Sequence, residues 1–362
     1  MPRSLPSGVE LCTLRIILNA LTVIMIYGRE LPGYPYNLKA KLTRCLVAGR
    51  RELFGKLFKH VSSHAQLPVC AKGQAANDII RGMVEADRPF LITRFGSYEM
   101  EALLRGIDVQ DSASALKKIG RMLTGEGGPF WWDNSIRGGL CWNAGFFPPT
   151  DEALNAYSNR FCNDIPQIDL IGTTYPGEKY IAARFAPQMK AVPLLDLEPF
   201  GKEKPWSKSL AGMKVLVVHP FEDSIRAQYA RRKILFDDPD FLPDFELKTY
   251  RAISSFAGNK VPYDSWFEAL AHMCADISRI EFDIAIIGCG AYGMHIGAFI
   301  KRDMGRKAFH LCSPTQLLFG IKGGRWDTWP WYRDNFYNKN WIRPLASDIV
   351  LNTNTVEGGC YW

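Results

Sequence analysis

Residues 284–297 read IAIIGCGAYGMHIG, an apolar run followed by Gly288, Gly290 and Gly293 in the spacing G-x-G-x-x-G. FDIAIIG (282–288) has the length and branched apolar content of a buried strand, and MHIGAFIKRDMG (294–305) has helical spacing with Gly305 as its stop. A strand, a glycine turn and a helix in that order predict an α/β unit. Its turn amides and helix N-terminus face an anion, a phosphate above all. The same letters also fit any tight strand-to-helix turn. For NAD, the next strand has to end in an acid that holds a ribose hydroxyl. KAFHLC (307–312) runs instead into Cys312, Ser313 and Pro314, so the reading is a phosphate-binding turn without NAD.

Outward from this unit the pattern repeats. Helices are expected over Asn77–Ala86, 98–107, Ala113–Leu123, Asp151–Cys162, 223–236 and 265–280, and strands over 89–93, 168–172, 192–197, 214–221 and 245–253. Strands alternating with helices imply a Rossmann-like, mainly parallel sheet with helices on both faces. Residues 124–149 hold many glycines and aromatics without a period and read as a long structured loop, a length that points to a site. WDTWPWYRDNFYNKNW (326–341) is too aromatic for a solvated tail and is expected to wrap back onto the domain.

The 362 residues carry a formal net charge of +7. Residues 1–60 hold ten Lys and Arg against Glu10, Glu30 and Glu52, which equals the whole excess. The balanced remainder gives no nucleic-acid-binding surface. Two units follow: a basic, partly amphipathic segment over 1–73 and a Rossmann-like domain over 74–362. The apolar run 16–27 is short for a bilayer and is interrupted by Asn19. A signal peptide is one reading of it, against which no small-residue cleavage site precedes Arg29. LKAKLTRCLVAGRRELFGKLFKHV (38–61) either lies on an anionic membrane surface or packs on the domain with its basic face in water. Nine scattered cysteines without a CxxC pair suit a reducing, cytoplasmic setting, with peripheral attachment to the inner face of a membrane if the basic segment binds lipid.

Ligands of open α/β sheets bind beyond the carboxyl ends of the strands. TRFGSYE (93–99) follows the first strand there: Arg94 offers a fork for phosphate or carboxylate, Gly96 a sharp turn, Ser97 a helix cap and Glu99 a carboxylate. Ser97 and Glu99 are also explained by helix capping alone. HPFEDSI (219–225) places His219 at a strand end, with Glu222 and Asp223 at the next helix start; Asp223 serves equally as a cap. Tyr292 is expected exposed between the glycines of the turn. In SPTQLLFGIKGGRWD (313–327), Gln316, Lys322 and Arg325 bring an amide and two cations near that turn, and Trp326 a ring to stack on a base or sugar.

RFGSYE, GCGAYG, TQLLFGIKGGRW and VEGGCYW (356–362) together resemble a bacterial family, the proteins of surface-polysaccharide loci related to the GT-D class of glycosyltransferases. The likeness covers roughly residues 75–362 and leaves the basic segment outside. It implies a single Rossmann-like domain that transfers a sugar from a nucleotide donor, a UDP-sugar by expectation, to a glycan or lipid-linked glycan. It also implies a divalent cation, Mn or Mg, held through the Asp-x-Glu of RFGDGE. Here Ser97 stands where that motif has Asp, while Glu99 is kept, so the metal site is weakened unless Asp223 restores a ligand. The expected roles are Glu99, His219 and Arg94 at the reacting centre, with Glu99 or His219 as base. Gly96, Ser97, Asp223, Gly288, Gly290, Tyr292, Gly293, Gln316, Lys322, Arg325 and Trp326 are expected at the donor.

Overall fold

The computed structural model describes residues 67–124, 126–175 and 177–362. The expectations placed on the basic segment up to residue 66 lie outside the described residues. Seven short strands form one sheet, all parallel: β1 (Leu91–Thr93), β2 (Leu170–Thr173), β3 (Lys190–Pro193), β4 (Lys214–His219), β5 (Glu246–Arg251), β6 (Ile284–Ile287) and β7 (Lys307–His310), in the order β3-β2-β1-β7-β6-β4-β5. The strands are near-continuous apolar runs because both faces of the sheet are covered. Successive residues alternate between two cores. Leu91, Ile171, Leu216, Ala285 and Ala308 belong to one; Ile92, Leu170, Val217, Ile286 and Phe309 belong to the other.

The first core is covered by α2 (Ser97–Gln110), α5 (Asp151–Asp164), α8 (Trp266–Ile277) and α9 (Gly293–Met304), and the second by α1 (Gln74–Glu85) and α7 (Glu222–Tyr229). Of the remaining helices, α3 (Ala115–Thr124) and α4 (Asn134–Gly138) precede α5, α6 (Gly177–Phe185) joins β2 to β3, and α10 (Thr315–Leu318), α11 (Gly324–Asp327) and α12 (Pro330–Asn335) follow β7. Local signals set several ends. The Thr150 hydroxyl accepts from the Ala153 amide to start α5, the Ser265 hydroxyl accepts from the Glu268 amide to start α8, and Gly305 closes α9 in the left-handed region at φ 62°.

Several boundaries differ from the sequence expectation. The loop over 124–149 contains α4, capped by Asp133, and a π-helical turn at Gly139–Asn143. The third strand begins at Lys190 and gives way at Leu194 to a 3₁₀ turn, because Asp196 there accepts the Gly73 amide and the Lys202 ammonium rather than continuing a ladder. The helix expected over 223–236 stops at Tyr229, whose ring stacks on Phe245 and whose hydroxyl bonds to the Phe245 backbone. The aromatic C-terminal segment does wrap back: Trp326, Tyr332 and Trp341 are buried in the second core.

Candidate functional site

Four adjacent strands, β1, β7, β6 and β4, end at the same edge of the sheet, and residues at or just beyond their ends, Arg94, Cys312, Gly288 and His219, line one cavity of about 290 Å³. Neighbours β6 and β4 send their chains in opposite directions, to β7 and to β5, and this divergence is where open α/β sheets leave a crevice. The cavity also takes in Tyr175 beyond β2 and Glu357, Tyr361 and Trp362 from the C-terminal segment.

Of the residues singled out in the sequence, Arg94, Gly96, Ser97, Glu99, His219, Gly288, Gly290, Tyr292, Gln316 and Arg325 line this cavity. The Arg94 guanidinium reaches only the Phe95 carbonyl, at 3.4 Å, and among the described residues no carboxylate pairs with it. Burial would discourage its charge, but Cys312, Tyr175 and Glu99 around it outweigh burial and raise its pKa. Arg325 is held by Glu357 at 2.5 Å and by the Ser313 hydroxyl at 3.4 Å, with its guanidinium 5.1 Å above the Tyr361 ring.

Gly96, not Ser97, is the N-cap of α2, in an extended conformation that any residue adopts. Ser97 is instead the first helical residue, exposed and at the cavity wall. The Glu99 side chain folds over the Gly96 Cα, where a Cβ would collide with its carboxylate. Burial and the Cys312 thiol raise the Glu99 pKa, against its own backbone amide and Arg94, which lower it.

His219 is buried, and its Nδ1 accepts the Phe221 amide at 3.0 Å. Burial depresses its pKa to about 3, so the ring is neutral with its proton on Nε2. It enters the cavity as a donor, and the expectation of His219 as base is corrected on that ground. On β7, His310 bonds through Nδ1 to the Thr93 hydroxyl at 2.9 Å.

In the glycine turn, a Cβ on Gly288 would stand 2.5 Å from the Cys312 carbonyl oxygen and 2.8 Å from the His219 ring. Gly290 lies at φ 58°, with the Ala144 carbonyl oxygen 2.8 Å from any Cβ, and Gly293 begins α9 beneath the His310 ring. The protein's own atoms therefore require these glycines, whatever the cavity holds. Tyr292 is not exposed: it is 1 % accessible, stacked on Trp266 at 5.3 Å, with its hydroxyl 2.9 Å from that of Ser255. Gln316 ties three carbonyls together through Nε2, those of Ile321, Lys322 and Tyr361. Its buried Oε1 has no partner among the described residues.

Four expected residues stand outside this lining, the first being Gly293, set beneath the His310 ring. Asp223 pairs with Arg251 at 2.8 Å outside the cavity, since the extended β5 brings Arg251 alongside the start of α7. Lys322 lies with its ammonium 5.3 Å above the Tyr337 ring. Trp326 is buried in the second core and so offers no free face in this cavity. Glu99 and Asp223 thus do not converge, and the donor set for a divalent cation is not assembled by these two. Tyr175, Cys312, Glu357, Tyr361 and Trp362 were not assigned to the site from the sequence. Tyr175 and Cys312 carried a signal, as both follow a strand at its carboxyl end. No family model matches the chain, and neither does any curated protein or solved structure.

Proposed function

We propose that this protein is a nucleotide-sugar-dependent glycosyltransferase of surface-glycan assembly, with the nucleoside diphosphate in the cavity at the carboxyl edge of the sheet. The observation that carries the reading is Arg94, a guanidinium at the cavity wall without a carboxylate partner among the described residues. Desolvating a cation costs free energy unless a counter-charge compensates it, and a diphosphate supplies that charge in bidentate form. Arg325 adds positive charge at the same place, and the glycine turn before α9 lines it with backbone. Phe221, Phe256 and Trp362 offer aromatic wall to a base or sugar ring.

Transfer breaks the bond between the anomeric carbon and the diphosphate oxygen, which leaves with the electron pair. Arg94, Arg325 and the His219 Nε2–H oppose the charge that builds on it. The incoming hydroxyl surrenders a proton, and Glu99, a carboxylate of raised pKa at the mouth of β1, is the base in this reading. No step is assigned to a metal.

Intrinsic tryptophan fluorescence, titrated with UDP, UDP-sugars and NADH, tests the proposal. UDP and one UDP-sugar should bind and NADH should not; failure of every nucleotide to bind overturns it. One observation favours a second reading, a nucleotide-sugar-binding protein without turnover: Ser97 stands where the resembled motif has Asp, and Asp223 pairs with Arg251 outside the cavity, so the Asp-x-Glu pair of that motif is not formed. Donor binding without hydrolysis or transfer would identify it.

A further inference from the structure

The wall of the cavity at the sheet edge is not uniform. Arg94 and Arg325 give one part of it positive charge. In another part Trp362 packs between Phe221 and Phe256, with ring centroids 5.8 and 5.7 Å away. Tyr361 joins the two parts, its ring 5.1 Å from the Arg325 guanidinium and 5.7 Å from the Trp362 ring. The π-helical turn Gly139–Asn143 adds one more group, and such single turns concentrate at functional sites. Asn143 lines the cavity, and its carboxamide has no hydrogen-bond partner among the described residues. Its neighbours hold it beside Phe256. The Trp142 ring would stand 3.1 Å from a Cβ on Gly258, and the Gly145 carbonyl accepts the Ser255 hydroxyl at 2.6 Å.

A sugar ring carries hydroxyls around most of its rim and needs many polar partners. Three aromatic rings and one amide suit a flat heterocycle with its polar atoms along an edge. A carboxamide sets an N–H donor beside a carbonyl acceptor. By turning over, it pairs with the carbonyl and N–H of uracil or with the ring nitrogen and amino group of cytosine. A cavity of about 290 Å³ that also takes a diphosphate favours a one-ring heterocycle over a two-ring one. We propose that the aromatic part of the cavity is a subsite for a pyrimidine nucleobase, which lies against Phe256 and Trp362 and bonds along its edge to Asn143. This subsite rests on the nucleotide reading above and names the residue that selects the nucleotide.

Isothermal titration calorimetry on the full chain, with UDP, CDP, GDP and inorganic pyrophosphate as probes, separates the nucleobase from the phosphates. UDP or CDP should bind about tenfold or more tightly than pyrophosphate, and more tightly than GDP. Asn143→Ala should weaken the preferred nucleotide roughly tenfold and leave pyrophosphate unchanged, the latter showing that the variant keeps its fold. A carboxylate only accepts, so Asn143→Asp keeps a partner for the cytosine amino group and loses the one for a uracil carbonyl. The ratio of UDP to CDP affinity should therefore move roughly tenfold towards CDP in that variant. Pyrophosphate bound as tightly as both pyrimidine nucleotides overturns the proposal, as does GDP bound more tightly than either. Wild-type nucleotide affinity in both Asn143 variants overturns it too, as does an equal loss of all four ligands, the mark of a merely structural Asn143. If pyrophosphate binds and no nucleotide binds better, the nucleobase subsite fails while the anion site at Arg94 and Arg325 stands. If neither pyrophosphate nor any nucleotide binds, the nucleotide reading itself fails.

Discussion

Gly96 and Glu99 occupy so little common space that one can be used to move the other. An alanine at 96 keeps an allowed backbone, φ −75° and ψ 158°, but its methyl would displace the Glu99 carboxylate. Gly96→Ala should therefore change stability by less than about 0.5 kcal/mol while lowering turnover towards that of Glu99→Gln, roughly a hundredfold below wild type. Melting curves and steady-state kinetics check the pair; wild-type turnover in Glu99→Gln removes the carboxylate from the chemistry. Glu198 gives a residue-scale prediction in pH. Burial raises its pKa from 4.5 to about 7, against Tyr332, Arg94 and Lys202, which lower it. A carboxyl raised in the folded state stabilises the fold below its unfolded pKa, and that contribution is lost as pH rises through about 7. The loss is on the order of 3 kcal/mol at most. Glu198→Gln should then melt with wild type at pH 5 and above it at pH 8, and an equal gap at both pH values would contradict the assignment.

Among elements, the two helix starts at the sheet edge depend on different partners. The α9 start is shaped by glycines, and a valine at 290 would meet both a positive φ and the Ala144 carbonyl. Gly290→Val should lower stability by about 2 kcal/mol or more, seen in urea melts before any ligand is added. The α7 start is satisfied at a distance: Asp348 accepts the Ser224 amide at 2.7 Å, the Ser224 hydroxyl at 2.6 Å and Arg251 at 2.7 Å. Asp348→Ala should cost about 3 kcal/mol and loosen both α7 and the C-terminal segment in hydrogen exchange. The glycine turn, the strands and the Arg94 loop were legible because periodicity and turn chemistry are local. Asp348 capping α7 was not, since 125 residues separate Asp223 and its partner and no local pattern encodes that contact. For the same reason Asp223, chosen from its place at a helix start, lies outside the cavity: Arg251, which claims it, comes from β5.

On the scale of the whole molecule, the seven parallel strands and the two cores follow from the alternation of apolar runs and amphipathic helices. The strand order does not, because a crossover can return to either side of the sheet. The surplus charge of +7 in residues 1–60 motivates a test at this scale. Each basic side chain near an anionic leaflet contributes on the order of 1 kcal/mol, screened by salt. Deleting residues 1–66 should abolish salt-sensitive sedimentation with phosphatidylglycerol vesicles and leave UDP affinity unchanged; equal sedimentation of both forms would exclude the segment as the attachment.

The placement of β1 between β2 and β7 has a consequence in time. Its second neighbour is made only when residues 307–310 leave the ribosome, some two hundred residues after β1 itself. At roughly 5–20 residues per second this is a delay of about 10–40 s, during which the strand that will carry Arg94 presents an unpaired edge. Nascent chains of this protein should accordingly engage holding chaperones until β7 emerges, and stalling synthesis before residue 307 should leave the β1 edge open to aggregation.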